Sequence, residues 1–304
     1  MPASSKIDVG HAATYRSIVA MLAAQAVFTF NDTCMKLVTE VLPLGETLVL
    51  RNAIAAAGIL MFAAVRGGLL WPEEVLRSRA FSWRLVGEVA STILFFSALA
   101  RMPIGDITGI CQITPLAITA AGAVLLGEKA GWRHWIAAIV GFLGVLLIVQ
   151  PGTTTFTWAA VLAIGANAFG VVRDLATRVI GPTISTLTLT ISSVFAVLLS
   201  GFALAPFETW QWPGLRELAI MLFGSGCLAL GYVLLIASLR MGDLATVSPF
   251  RYSSIVWAVL AGYVLWGDIP KATPALGIVI VVAAGLYALH QERLARRQSV
   301  KSDA

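Results

Sequence analysis

Charge is scarce in this chain. Only 12% of its 304 residues are Asp, Glu, Lys or Arg, against about 25% in soluble domains. So little charge cannot cover a water-facing surface of this size, which excludes a soluble globular protein. Histidine is nearly missing, and His11, His134 and His290 lie far apart. No HExxH helix, GxSxG elbow or GxxxxGK[ST] phosphate loop occurs, so neither an enzyme's nucleophile and base nor ATP hydrolysis has a foothold. Cys34, Cys111 and Cys227 are odd in number and widely spaced; a disulfide framework or zinc site is not expected, and they read as packing residues. No metal and no cofactor is expected. Long connections are also lacking. The longest, from Arg66 to Arg84, has room for at most a small amphipathic helix.

Apolar residues make up the rest: 58% of the chain is hydrophobic and mean hydropathy is +0.86. A membrane helix needs roughly 20 apolar residues. Ten such runs are expected, at about 15–38, 44–65, 83–101, 107–126, 132–150, 156–178, 183–205, 215–240, 244–266 and 272–290. They are apolar on every face, whereas a β-barrel would show alternating segments of about ten residues. The expected fold is an all-α polytopic membrane protein. The opening MPASSKIDVGHAAT is polar and does not form a cleavable signal peptide, so the first run is expected to remain as a span.

The net charge of +5 raises the question of nucleic acid, but the positions of the basic residues answer it. With the N-terminus inside, Arg66, Arg77, Arg79, Arg84, Lys129, Arg133, Arg173, Arg178, Arg240, Arg293, Arg296 and Arg297 are among those on the cytoplasmic side. Lys36, Arg101, Arg216 and Lys271 are left outside. This bias places both termini, residues 1–14 and 291–304, in the cytoplasm. No nucleic acid partner is expected.

Residues 98–128, ALARMPIGDITGICQITPLAITAAGAVLLGE, resemble residues 237–268, ASLRMGDLATVSPFRYSSIVWAVLAGYVLWGD. Each runs from an Arg-Met turn through a span to Gly and a carboxylate, Gly127-Glu128 or Gly267-Asp268. The period covers five spans, an odd number, so the second copy enters from the opposite side. Such inverted repeats are found in many secondary transporters, with the substrate site at the repeat interface.

On these repeats, with the FxxND…K segment of the first span, LP…LVLRN entering the second and PFRYSSIVWAVLAGYVLWGD in the ninth, the chain resembles the drug/metabolite transporter superfamily in its EamA-type branch. Similar members include amino acid exporters of the YddG type. The resemblance implies two five-helix EamA-like repeats, 15–150 and 156–290. It implies a carrier of a small organic metabolite by alternating access, with amino acids, aromatic ones included, exported across the inner (plasma) membrane. The alternatives are uptake of a nucleoside-like or vitamin-like compound and, more remotely, an intramembrane enzyme or a channel. The expected partners are a small molecule and the bilayer, with the protein a monomer.

Six polar residues within the apolar runs are the candidate substrate-binding set: Arg251, Tyr252, Gln112, Asn31, Asp32 and Arg51. A charge at the bilayer centre costs at least about 2.5–3.5 kcal/mol on insertion scales, so each needs a partner or a hydrated cavity. Asp32 and Lys36 are spaced i, i+4 and can pair, or Asp32 faces a cavity while Lys36 snorkels. Arg51 either snorkels outward or offers its fork to a carboxylate or phosphate. Arg251 ranks first, because Pro249 can open the helix locally beside Tyr252, Ser253 and Ser254. Asn167, Arg173 and Asp174 read as packing and a helix end. Gly141, Gly144, Gly277 and Gly285 read as close helix contacts.

Overall fold

With no water in the hydrocarbon core to bond a free N–H or C=O, apolar runs of this length must satisfy their backbones as helices. A computed structural model describes residues 4–66, 78–125, 132–153, 156–180, 186–241 and 247–302. Among them are helices α1 (Ser4–Thr39), α2 (Leu44–Arg66), α3 (Arg79–Leu99), α4 (Ile104–Cys111), α5 (Thr114–Leu125), α6 (Trp132–Val149), α7 (Trp158–Ile180), α8 (Thr186–Leu204), α9 (Leu215–Met241), α10 (Ser254–Trp266) and α11 (Ala272–Ser302). No strand occurs among the described residues, and the chain is an all-α polytopic membrane protein.

Among the described residues, eight segments are long and apolar enough to cross a bilayer, α4 and α5 counting together as Ile104–Leu125. The expected third and ninth spans are not among them. The first is α3, whose apolar run is broken by Arg84 and Glu88. In the second, α10 has 13 residues because the preceding turn, Ser248–Ser253, is a 3-10 helix. The ends of α1 and α11 also run past the expected spans, starting at Ser4 and ending at Ser302. Most of the Arg66–Arg84 connection, Gly127-Glu128 and the start of the second repeat's ninth run lie outside the described residues.

Both interrupted helices break beside a proline. Pro115 has no N–H for the Cys111 carbonyl, and the Thr114 hydroxyl donates to that carbonyl instead, at 2.5 Å. Pro249 lies in the first turn of the 3-10 segment. The two breaks meet, with Gln112 Nε2 donating to Ser254 Oγ at 2.5 Å.

Four long pairings build the bundle: α1 along α9, α3 along α7, α2 along α8 and α6 along α11. Each joins a helix before residue 150 to one after residue 157. Small residues allow the approach. A Cβ added at Gly87 would lie 2.8 Å from both Arg173 N and Phe169 O, and one at Gly144 would lie 2.9 Å from Gly277 O. The main core gathers Met35, Leu99, Ile107, Ile110 and Ala163, all fully buried. Trp83, Trp132, Trp158 and Trp212 are exposed, as interface anchors would be.

Candidate functional site

On α3, Glu88, Ser91, Thr92, Phe95 and Phe96 fall at i, i+3, i+4, i+7 and i+8, which puts them on one face. On α7, Ala166, Asn167, Gly170 and Arg173 do the same. Because α3 lies along α7, these faces enclose a cavity of about 290 Å³, which Asp32 of α1, Arg51 of α2 and Cys111 and Thr114 at the α4–α5 break complete. Seven of the lining residues are charged or carry a hydroxyl, in a bundle otherwise packed with apolar side chains.

The charges divide into two sets. At one end Glu88 lies 3.6 Å from Arg173 and 4.0 Å from Arg84, and Arg173 Nε donates to Asp174 at 2.8 Å. Arg84 also donates to Ser193 Oγ at 2.6 Å and Thr177 Oγ1 at 3.1 Å, tying α3 to α8 and α7. This set neutralises itself.

Asp32 and Arg51 form the second set. Asp32 Oδ1 accepts from Asn31 Nδ2 at 2.9 Å. The Arg51 guanidinium stacks 5.0 Å from the centroid of Phe96. Neither has an ion pair among the described residues, so both keep hydrogen-bonding capacity directed at the cavity. A carboxylate suits the guanidinium fork, a cation suits Asp32, and a flat apolar body suits the Phe95–Phe96 wall.

The sequence candidates therefore separate. Asp32 and Arg51 line the cavity. Asn31 is buried behind it, with its amide bonded to Asp32 and its Oδ1 unpartnered. Gln112 is spent on Ser254. Arg251 is exposed on the 3-10 turn, and Tyr252 is buried with its hydroxyl against Gly285; neither lines the cavity. The i, i+4 pair between Asp32 and Lys36 does not form, because the ammonium turns away to backbone carbonyls of Leu99 and Met102. The sequence reading missed Glu88, Ser91 and Thr92, and it assigned Asn167 and Arg173 to packing. Helical spacing puts the α3 residues on one face, but only the helix opposite makes that face a cavity wall.

A second cavity of about 290 Å³ lies near the other end of the bundle, between Arg101, Asp106, Gln150, Asp268 and Lys271.

Residues 15–150 match the EamA-like transporter family. The chain is 27% identical to a riboflavin transporter of Vibrio cholerae over 79% of this chain and 81% of that one. It is 24% identical to an S-adenosylmethionine uptake transporter of Rickettsia prowazekii, over 87% and 89%. It is 26% identical to the pseudopaline exporter CntI of Pseudomonas aeruginosa, over 86% and 93%. A solved crystal structure shares the fold with a TM-score of 0.61 at 21% identity, covering 93% of this chain and 98% of its own.

Proposed function

We propose that the chain, whose residues 15–150 match the EamA-like transporter family and whose relatives are named as transporters, is an EamA-type transporter of the drug/metabolite superfamily and not an enzyme, and that it exports amino acids, aromatic ones included, by alternating access. The observation that carries this reading is the unspent pair of opposite charges, Asp32 and Arg51, in a cavity walled by Phe95 and Phe96. An α-amino acid presents a carboxylate to Arg51, an ammonium to Asp32 and a side chain to the rings. Asn31 orients Asp32, and Gln112 joins the two interrupted helices around the site. Arg251 and Tyr252 belong to the 3-10 turn and lie outside the cavity lining.

The helix pairing supports two inverted five-helix repeats, 15–150 and 156–290. Exchanging the halves turns α1 into α7 and α9 into α3, so the α1–α9 pair becomes the α7–α3 pair. The α2–α8 and α6–α11 contacts map onto themselves. The placement of basic residues supports cytoplasmic termini in the plasma membrane.

A second reading rests on the relatives named for riboflavin and S-adenosylmethionine: uptake of a vitamin-like or nucleoside-like compound through the same cavity. Counterflow in proteoliposomes separates the two. Saturable exchange of labelled tryptophan or phenylalanine, without exchange of riboflavin or S-adenosylmethionine, is the expected result. Exchange of either of those compounds alone would replace the first reading with the second.

A further inference from the structure

Lys36 sits one helical turn beyond Asp32 in α1 and is only 6% exposed. Among the described residues it forms no salt bridge, although Glu40 and Asp268 act on it electrostatically from farther away. Its ammonium donates to Leu99 O at 2.8 Å and to Met102 O at 2.6 Å. Leu99 is the last residue of α3, so its carbonyl is among the orphan acceptors at the negative pole of that helix, and Met102 lies in the turn that follows. The same ammonium lies 5.2 Å from the ring centroid of Trp266, at the end of α10. The Trp266 Nε1–H in turn donates to Glu40 Oε1 at 2.7 Å, just past the end of α1. One cation thus ties together α1 and α3 from the first half of the chain and α10 from the second.

Around it the helices are shut. Met35, Val38, Leu99 and Ile104 are all 1% exposed or less. The Glu88–Arg173 end of the cavity differs, with those side chains 19% and 33% exposed. The cavity therefore reaches the surface at the Glu88–Arg173 end and is sealed at the Lys36 end.

We propose that Lys36 is the latch that holds this end of the carrier closed. Its acceptors are backbone carbonyls and a ring on other helices, so separating α1 from α3 and α10 breaks every one of these contacts and releases the ammonium to water. An ion pair carried on a single helix would survive that movement and could not report it. The latch rests on the alternating-access reading, but its test needs no substrate, so a failed transport assay and a failed latch are told apart.

The test uses Cys111, which lines the cavity, as the lone thiol in a Cys34→Ala/Cys227→Ala background. A membrane-impermeant methanethiosulfonate is added to one side of the membrane at a time. In the parent, Cys111 reacts from the side opposite the α1 C-terminus. Lys36→Met keeps the length of the chain and removes the donors. Losing hydrogen bonds to a charged group should raise the rate from the α1 C-terminal side by at least about tenfold, and the rate from the opposite side should fall. Lys36→Arg keeps donors and should stay near the parent. A substitution that merely loosens the fold raises labelling from both sides. Unchanged labelling from the α1 C-terminal side, or a rise on both sides, overturns the latch. If Lys36→Met does not fold, Trp266→Leu removes the ring alone and should move both rates in the same directions by less; no movement there also overturns it.

Discussion

Arg51 and Arg173 are both cavity arginines, yet they differ in what already occupies them. Arg173 holds Glu88 and Asp174, whereas Arg51 forms no salt bridge among the described residues, stacks on Phe96 and feels Asp32 only at a distance. Arg51→Gln should therefore reduce amino acid exchange by at least about tenfold, the loss of one charge-assisted bidentate contact. Arg51→Lys should restore it only partly, because an ammonium lacks the planar fork. Asp32→Asn should weaken exchange of amino acids more than exchange of the corresponding deaminated acids, because the ammonium loses its partner. Competition assays with the two compound series read this directly. At this scale the sequence was half legible. Apolar surroundings flagged Asp32 and Arg51 as residues needing a reason, but local spacing pointed Asp32 to Lys36, while the partners Lys36 found lie 63 and 66 residues away. Arg251 is expected from the sequence to face the cavity because Pro249 can open the helix beside it, and the 3-10 turn presents it outward, away from the cavity lining.

Among elements, α3 carries the most consequence. It lines the cavity with five residues, supplies the carbonyls that hold Lys36, and packs along α7 at Gly87. Gly87→Val places atoms against the α7 backbone, where nothing can give way, so it should lower the yield of folded protein and its melting temperature. Arg84→Ala removes two hydrogen bonds to α7 and α8 hydroxyls and should destabilise by about 2–4 kcal/mol. Thermal unfolding in detergent checks both, with Thr114→Val as the mild comparison. Interhelical side-chain bonds in membranes average only about 0.6 kcal/mol, so a value for Arg84→Ala near that figure would mean the guanidinium is not a tie. Most spans were legible because a run of about 20 apolar residues allows few other structures. The face of α3 was not, since hydroxyl and phenyl groups on one stripe look ordinary until the helix opposite is known.

For the whole molecule, four long helices before residue 150 each pair with one after residue 157, and the proposed alternating access is a movement of such helix pairs about the cavity. Such a movement requires no nucleotide, and the chain has no phosphate loop. Purified protein should show no ATPase activity above that of empty liposomes. The central claim is that substrate sits between Asp32 and Arg51. The most direct test is tryptophan counterflow by Arg51→Gln, set beside Arg251→Ala, with the melting temperature of both measured in the same preparation. The account predicts that Arg51→Gln loses at least about nine-tenths of exchange while melting close to the parent, and that Arg251→Ala loses less. Full exchange by a well-folded Arg51→Gln protein would contradict it.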